Sequence, residues 1–385
     1  MPIFKKVKLG DIAEIASGGT PSSSNPNYWN GNINWATLPD LKNKYLFDTQ
    51  RKITKLGLEN SSARLLPINT IIFSSRATIG EISIAKVETS TNQGSKNLIC
   101  NSSKIDFEYL YYCLKLNTNR IEQLASGATY KEINKTDLSN IEIDFPDLST
   151  QTRISSLLSV YDDLIGNNEK RIKLLEEMAQ LLYSEWFVKL KFPGHERIKM
   201  VDSKTGLGKL PQGWEVVTIE SLLGKVKRKV KIQTGEYLPF GKYYVIDQGR
   251  EFIAGYTNNE DAVYDKDLIV FGDHSRCFKY CNFPFACGAD GTQLLLTNDS
   301  NRMPETLLYY IVLNSGLQNF NYARHFKFLK SIQVIKPDSL IAKQFDNIIG
   351  SSYSQIRILR EKNIILSQIR DLLIPQLVTG RRELK

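Results

Sequence analysis

One histidine and three cysteines are the side chains best suited to direct chemistry. His274, Cys277, Cys281 and Cys287 follow one another in a single short stretch. Zinc prefers thiolate and imidazole ligands, and structural zinc sites favour two closely spaced pairs of them. Cys277 and Cys281 have suitable spacing, but no second close pair follows. The pattern therefore favours ordinary core or surface thiols over a zinc site, and we expect no metal site in this chain.

Motifs that would identify a catalytic centre are missing from the sequence. No G-x-x-x-x-G-K-[ST] segment is present, so a P-loop ATPase is excluded. Asn25-Pro26-Asn27 lacks the N-P-P-[FYW] arrangement with which amino-methyltransferases hold an exocyclic amine. The pair Gly18-Gly19 is followed by Thr20-Pro21 and is too short for a nucleotide-binding turn. We therefore expect no catalytic site and no bound cofactor in this chain.

A long internal repeat organises the chain. Residues 141–147 (IEIDFPD) resemble residues 332–338 (IQVIKPD), and a long segment with apolar helical periodicity follows each copy. The offset of 191 residues is unchanged at the leucine pairs 181–182 and 372–373. Because this repeat is far longer than a solenoid unit, it indicates one whole module present twice. Such a chain can form a pseudo-twofold object that suits a ligand with two separated sites.

Alternating apolar residues predict short strands in both copies, each accompanied by a helix. The predicted strands lie at 71–75, 81–85, 141–143, 243–246, 268–271 and 293–296, and the predicted shorter helices at 107–123 and 305–313. Two longer helices are predicted at roughly 149–190 and 340–378, with Ser149 or Thr150 capping the first.

Both long helices carry apolar residues at alternating steps of three and four, which is the spacing of a heptad seam. We expect the two helices to pair antiparallel, with a central asparagine pair that fixes the register at some cost in stability. The facing residues would be Asn168 with Asn363, Ile165 with Leu366, and Ile172 with Leu359. The alternative is that each helix packs separately on its own domain.

The composition is that of a globular protein with a basic surface. The 385 residues carry a net charge of +9, which permits a polyanionic partner without requiring one. No signal-peptide segment follows Met1, and no apolar run is long enough to span a membrane. Five cysteines form no even disulfide framework. We therefore expect a cytoplasmic protein with free thiols.

Several segments together resemble the specificity (DNA-recognition) subunit of type I restriction-modification systems, over essentially the whole chain. Each segment alone is a weak signal, but their order and the gap-free helical repeat are fairly specific. The segments are 7–12 (VKLGDI), 17–22 (SGGTPS), 73–80 (FSSRATIG), 91–94 (TNQG), 210–216 (LPQGWEV), 271–276 (FGDHSR) and 289–292 (ADGT).

This resemblance implies an α+β fold with two globular target-recognition domains of mixed α/β structure. Two long antiparallel helices in a coiled-coil-like pair would separate them, with a pseudo-twofold repeat. The target-recognition domains would be residues 1–148 and 211–339, and the linker residues 191–210. The spacer helices would be residues 149–190 and residues 340–385, the latter including the C-terminal tail.

The resemblance also implies a function and a set of partners. Each domain would recognise one half of a split, asymmetric site in double-stranded DNA, and the helices would set the gap. The helices would also dock two modification (methyltransferase) subunits, and restriction (translocase/nuclease) subunits would complete the assembly. S-adenosylmethionine, ATP and Mg²⁺ would bind those partner subunits, and this chain would be a non-catalytic specificity subunit.

Base readout requires Arg, Lys, Asn or Gln at base edges, held by hydroxyl and backbone contacts to phosphates. In the first domain, an ordinary turn is the alternative for the candidates at 20–25, and a surface turn is the alternative for those at 76–96. The candidates there are Thr20, Ser22, Ser23, Asn25, Arg76, Thr78, Asn92, Gln93, Ser95, Lys96, Tyr130 and Lys131.

The second domain offers a run of cations, an aromatic-rich loop and a loop that corresponds to residues 130–131. A solvated strand edge is the alternative for the cation run, and a turn cap is the alternative for Asp290. The candidates are Lys227, Arg228, Lys229, Lys231, His274, Arg276, Lys279, Asp290, Gln293, His325 and Lys327. For partner docking, the apolar residues expected to point outward are Tyr183, Phe187 and Ile374.

Two other functions compete with DNA recognition. An autonomous DNA-modifying enzyme would consume S-adenosylmethionine alone, but its motifs are missing. A two-headed carbohydrate- or protein-binding adhesin would favour a secretory signal, and its binding would lack the steep salt dependence of DNA binding. The target bases and the gap length do not follow from the sequence.

Overall fold

A computed structural model describes residues 4–127, 131–203, 205, 208–288, 291–318 and 324–382. The chain forms two compact units. The first unit consists of Met1–Asn168 together with Lys362–Lys385, and the second consists of Glu169–Glu361. Both units combine sheets with helices, and the α+β prediction is confirmed.

The first unit packs helix α3 against a five-stranded sheet. Its strands are β1 (Lys5–Lys8), β2 (Ala13–Ser17), β3 (Trp29–Ala36), β4 (Tyr45–Leu46), β5 (Lys52–Ile53), β6 (Ile71–Ser74), β7 (Ile82–Ala85), β8 (Thr89–Thr91), β9 (Ser95–Cys100) and β10 (Glu142–Phe145). Its helices are α1 (Leu9–Ile12), α2 (Lys55–Glu59), α3 (Phe107–Leu124), α4 (Lys135–Ser139) and the first part of α5 (Leu148–Tyr183). The sheets have the strand orders β2-β9-β6-β7-β4, β5-β3-β8 and β1-β10. Buried aliphatic residues of the large sheet and tyrosines of α3 form the core.

The second unit has the same kinds of element around two smaller sheets. Its strands are β11 (Met200–Asp202), β12 (Lys209–Pro211), β13 (Glu215–Thr218), β14 (Tyr243–Ile246), β15 (Gly255–Thr257), β16 (Val263–Tyr264), β17 (Leu268–Gly272), β18 (Phe278–Cys281), β19 (Phe285–Cys287), β20 (Thr292–Leu295) and β21 (Gln333–Lys336). Its helices are the second part of α5, α6 (Ile219–Leu222), α7 (Glu305–Leu313), α8 (His325–Ser331) and most of α9 (Ser339–Val378). The main sheets have the orders β15-β14-β19-β16 and β18-β17-β20.

Each unit contains the same antiparallel strand pair, formed by the strand just before its first short helix and the strand of the sequence repeat. These pairs are β1 with β10 and β13 with β21. Immediately after β1 and β13, one backbone bond of 2.9 Å is repeated, from Leu9 N to Ile141 O and from Ile219 N to Ile332 O. The internal sequence repeat therefore corresponds to a repeated structural closure.

Aspartates begin both long helices. The Asp147 carboxylate accepts bonds from the Thr150 backbone N–H at 3.0 Å and from the Thr150 hydroxyl at 2.9 Å. These bonds stabilise the ionised form and lower the pKa of Asp147. Asp338 accepts from Leu340 N at 2.8 Å in the same way. The prediction that Ser149 or Thr150 caps α5 was therefore wrong, because the aspartate one turn earlier already satisfies the free N–H groups.

Within each unit, the segments of the two long helices run antiparallel to each other. In the first unit Asn168 Nδ2 donates to Asn363 Oδ1 at 2.8 Å, and Arg370 pairs with Asp162. In the second unit Arg360 pairs with Glu176 at 2.8 Å. The structure thus brings together the two asparagines of the heptad seam. The other seam residues considered above are buried or half-buried, namely Ile165, Leu366, Ile172 and Leu359.

Candidate nucleic-acid interface

The first unit presents polar loops at one edge of its five-stranded sheet. Antiparallel pairing places Ser17, which ends β2, opposite Lys96 in β9, and Ser74, which ends β6, opposite Ser95. Because these strand ends meet, the connected loops lie side by side. We call residues 18–25, 75–81 and 92–94 the first loop edge.

Hydrogen bonds within the first loop edge hold two of the predicted residues together. The Thr20 hydroxyl donates to the Gln93 side-chain oxygen. The Asn25 side chain accepts from the Asn27 backbone N–H at 3.1 Å and so caps a short turn. Two further candidates are exposed beside them, Ser22 and Ser23. Their hydroxyls and the Gln93 amide are groups that suit phosphate and base edges.

Ser75 connects this edge to the segment after α3. Its N–H donates to Gly94 O at 2.8 Å, and its carbonyl accepts from Ile133 N at 3.0 Å. The exposed candidates at this junction are Arg76, Thr78 and Lys131. Two other candidates, Tyr130 and Asp290, lie outside the described residues.

The side chains of three neighbouring candidates make contacts inside the first unit or are buried there. Lys96 is buried, and its ammonium group pairs with Glu132 at 3.1 Å. The Asn92 side-chain oxygen Oδ1 accepts from Gly94 N at 3.1 Å, and the Ser95 side chain is buried beside it. The assignment of Lys96 as a DNA ligand was therefore wrong for this conformation, because its charge is neutralised inside the unit.

Sequence reasoning missed an arginine beside the first loop edge. The Arg51 guanidinium carbon lies 3.8 Å from the Trp29 ring centroid and 5.1 Å from that of Trp35. The two indole N–H groups donate to the loop carbonyls of Ser22 at 3.1 Å and Gly19 at 2.9 Å. Arg51 is exposed, and within the described residues its guanidinium has no hydrogen-bonded partner. It is therefore a preorganised cation with free donors.

The second unit repeats the junction with different residues. Asp273 N donates to Gly291 O at 2.7 Å, and Asp273 O accepts from His325 N at 3.3 Å. Asp273 thus occupies the position that Ser75 has in the first unit. We call residues 247–249, 273–277 and 291–293 the second loop edge. Its exposed or half-buried candidates are His274, Arg276 and Gln293.

His325 and Lys327 begin helix α8 and do not lie in a loop as predicted. The His325 ring is buried, and its Nδ1 lies 2.8 Å from Asp273 O. The Asp273 carboxylate also accepts from Phe326 N at 2.7 Å. His325 therefore supports the junction from inside, which contradicts its assignment as a DNA contact, whereas Lys327 is exposed.

Three predicted cations of the second unit bind backbone carbonyls. Lys229 Nζ donates to Val263 O, and Lys231 Nζ donates to Thr292 O at 3.1 Å. Lys279 is buried and donates to Asp247 O at 2.9 Å, and burial lowers its pKa. The burial of Lys279 contradicts its assignment as a DNA contact, whereas Lys229 is exposed and Lys231 is half-buried, and their assignments stay predictions. Lys227 and Arg228 remain exposed, with neither a hydrogen bond nor an ion pair in the described part of the chain.

Two of the three cysteines of the second unit belong to its core, and Cys277 is half-buried. Cys281 and Cys287 are buried in one hydrophobic cluster, where burial raises the pKa of the Cys287 thiol to about 11. His274 is exposed at the loop edge instead. Within the described residues, no three His, Cys, Asp or Glu side chains are grouped to hold a metal ion. Likewise, no described helix combines the length and apolar character that a membrane crossing requires.

The long helices expose apolar residues that the sequence analysis did not select. The predicted docking residues Tyr183, Phe187 and Ile374 are all buried, so that prediction was wrong. The exposed ones are Leu148, Leu157, Val160, Leu164, Leu174, Met178 and Leu181 on α5, and Leu340, Ile348, Ile358, Ile365, Ile369 and Leu372 on α9. Because most of them recur at steps of three and four, they form an outer apolar stripe on each helix.

Comparisons with known proteins agree with one another. Residues 3–177 match the family model described as the type I restriction modification DNA specificity domain. The chain is 29% identical to the type I restriction enzyme MjaIX specificity subunit of Methanocaldococcus jannaschii, over 97% of this chain and 92% of that protein. It is 27% identical to the EcoR124I/EcoR124II specificity subunit of Escherichia coli, over 48% of this chain and 47% of that protein.

Solved structures include a chain of the same fold. The type I restriction-modification system S subunit from M. genitalium superposes with a TM-score of 0.58 and 17% identity. The match covers 100% of this chain and 97% of that one. At this identity the likeness concerns the fold.

Proposed function

Because this chain belongs to the specificity-subunit family of type I restriction-modification systems, we propose that it recognises a bipartite, asymmetric site in double-stranded DNA. It is a non-catalytic subunit of that family, so methyl transfer and cleavage fall to partner subunits. S-adenosylmethionine would bind the modification subunits, and ATP with Mg²⁺ would bind the restriction subunits.

The observation that carries the proposal is that both units build the same loop junction and equip it with different side chains. The first loop edge offers Arg76, Gln93 and the neighbouring Arg51, whereas the second offers His274 and Arg276. Arginine and glutamine can each form two hydrogen bonds to a base edge. Different donors on one framework support two different half-sites, and hence a target that is not palindromic.

Co-expression with the modification subunit tests this function. We expect N6-methyladenine across the host genome in one split motif with a fixed gap. A stable complex that methylates no such motif would contradict the assignment of a bipartite DNA site.

We further propose that the outer apolar stripes dock the modification subunits, while the helices set the gap between half-sites. Ile365 is 55% exposed and Leu372 is 67% exposed, and no described side chain covers them. Monomeric surfaces rarely keep large contiguous apolar areas open to water, so exposed patches often mark interaction sites.

Charged substitutions in the apolar stripe of α9 should weaken docking and leave folding unchanged. The double variant Ile365→Glu with Leu372→Glu should weaken binding to the modification subunit at least about tenfold, because two buried apolar contacts are lost. Its thermal unfolding should stay close to that of the parent chain. The matched control Ile365→Leu with Leu372→Met keeps the apolar surface and should bind normally. Equal binding by the charged variant, measured by calorimetry, would rule out docking at this stripe.

A further inference from the structure

The second unit contains a cavity of about 850 Å³ beside its second loop edge. Strand β18 and helix α7 form one side of it, and residues of α5 and α9 form the other. Its volume lies within the range of about 300–1,000 Å³ that small-molecule sites have. The cavity is therefore large enough for a ligand of nucleotide size.

Aromatic rings form one wall of this cavity. Tyr309 is half-buried, and its ring lies 5.8 Å from Tyr280 and 6.0 Å from Tyr353, measured between ring centroids. Phe278, also half-buried, lines the same side. A flat ring could pack on this wall with part of it still accessible.

The charged side chains that line the cavity leave its rim positive. Arg360 pairs with Glu176 at 2.8 Å, and Lys173 pairs with Glu177 at 3.7 Å. The buried Lys279 lies 3.8 Å from an Asp247 carboxylate oxygen, so the charges of all three cations are compensated. Arg250 and Arg276 also line the cavity, and the described residues offer neither of them a carboxylate partner. Two uncompensated guanidinium groups beside an aromatic wall favour an aromatic anion.

The backbone at Arg276 adds a separate observation. Its φ is 60°, in the left-handed region that a side chain with a Cβ rarely adopts. Conformations of this kind persist only where the surroundings enforce them, and they concentrate at ligand sites. The strained turn places Arg276 at the rim.

In the first unit, the side chain of Lys44 fills the place that corresponds to the cavity of the second unit. In the first unit the Tyr112 hydroxyl contacts Asp162, and in the second unit the Tyr310 hydroxyl contacts Tyr353. Asp162 and Tyr353 are equivalent positions, because they are separated by the repeat offset of 191 residues. Lys44 is inserted at this point, with its ammonium 4.9 Å from the Tyr112 ring centroid and 2.7 Å from Ser159 Oγ. The second unit keeps its cavity open where the first unit is packed.

We propose that the cavity of the second unit binds a nucleotide, with the base on the wall of Tyr309 and Phe278 and the phosphates at Arg250 and Arg276. The site shares Arg276 with the second loop edge, whereas Arg250 and the aromatic wall take no part in the proposed DNA recognition. It would make the second unit responsive to a small phosphorylated ligand.

Fluorescence anisotropy of methylanthraniloyl-ADP with the purified full-length chain tests the site without DNA. Saturable binding is expected, weakened about tenfold by Arg250→Ala, which removes a charged hydrogen-bond donor. Leu313→Trp should weaken it similarly by narrowing the cavity, because Leu313 lines it and is 41% exposed. That second variant removes no charge, and its exposed position should leave folding intact.

Lys266→Ala is the matched control, because Lys266 is an exposed cation of the same unit that does not line the cavity and pairs with no described residue. The affinity of this variant for the probe should equal that of the parent chain. The proposal would be overturned if the chain showed no saturable binding. It would also be overturned if Arg250→Ala and Leu313→Trp left the affinity unchanged, or if Lys266→Ala lowered it as much as Arg250→Ala does.

Discussion

Replacing Arg51 with alanine is expected to weaken binding of the assembled complex to its DNA target roughly 10- to 100-fold. The guanidinium is stacked on Trp29 at 3.8 Å, so little rotamer freedom would be lost when its free donors meet a guanine edge or a phosphate. Fluorescence titration of a duplex carrying the mapped motif measures the effect.

Two variants control for charge and folding. Arg51→Lys keeps the charge but loses the planar donor pair, so we expect an intermediate affinity. Arg64→Ala removes an exposed arginine of the same unit that already pairs with Glu14, and binding should change little. If Arg51→Ala and Arg64→Ala bind alike, Arg51 does not contact DNA.

Replacing Lys44 with methionine should destabilise the first unit by roughly 3–5 kcal/mol. Lys44 Nζ lies 3.3 Å from Glu108 Oε2 and 3.8 Å from Asp162 Oδ2, and its side chain is only 5% exposed. Desolvation lowers the pKa of this lysine, although both carboxylates oppose the shift. Without this ammonium group, the Glu108 carboxylate would lose its cationic partner in a poorly hydrated site, and Asp162 would be left with Arg370.

Chemical denaturation monitored by tryptophan fluorescence measures that loss. Lys52→Met is the matched control, because Lys52 forms only an exposed pair with Asp48 at 3.0 Å. It should change the free energy of unfolding by less than about 1 kcal/mol. Equal stabilities of the two variants would show that the buried network contributes no more than a surface ion pair.

Local periodicity predicted most of the secondary structure, because strands and helices bury one face at a regular spacing. The strand Tyr243–Ile246 and the helix Glu305–Leu313 have the predicted bounds. The asparagine pair also followed from a local pattern, since a heptad seam offers few positions where Asn168 can find a polar partner.

The sequence could not predict which cations are paired, because the partners of the paired cations are distant in the sequence. Lys96 meets Glu132 only once the strand β9 and the segment after α3 are assembled. Arg51 becomes a candidate only because folding places Trp29 beneath it. A side chain that looks basic in the sequence is therefore available for DNA only if the fold leaves it unpaired.

The outward faces of the long helices were mispredicted for a related reason. Tyr183 and Phe187 lie off the heptad seam and were expected to face solvent. They are buried because the aromatic core of the second unit covers a further side of α5, where Tyr183 stacks on Tyr310 at 5.8 Å between centroids. Heptad spacing describes the contact between two helices and carries no information about a third surface.

The most direct test of the account is a comparison of two N6-methyladenine maps. One host would express the modification subunit with the parent chain, and the other would express it with the variant Arg76→Ala and Gln93→Ala in the first loop edge. We predict a split motif in the first map. In the second map, the same gap and one unchanged half-site should remain, while the other half-site becomes degenerate. If the variant altered both half-sites or the gap, the claim that each unit recognises its own half of the target would be contradicted.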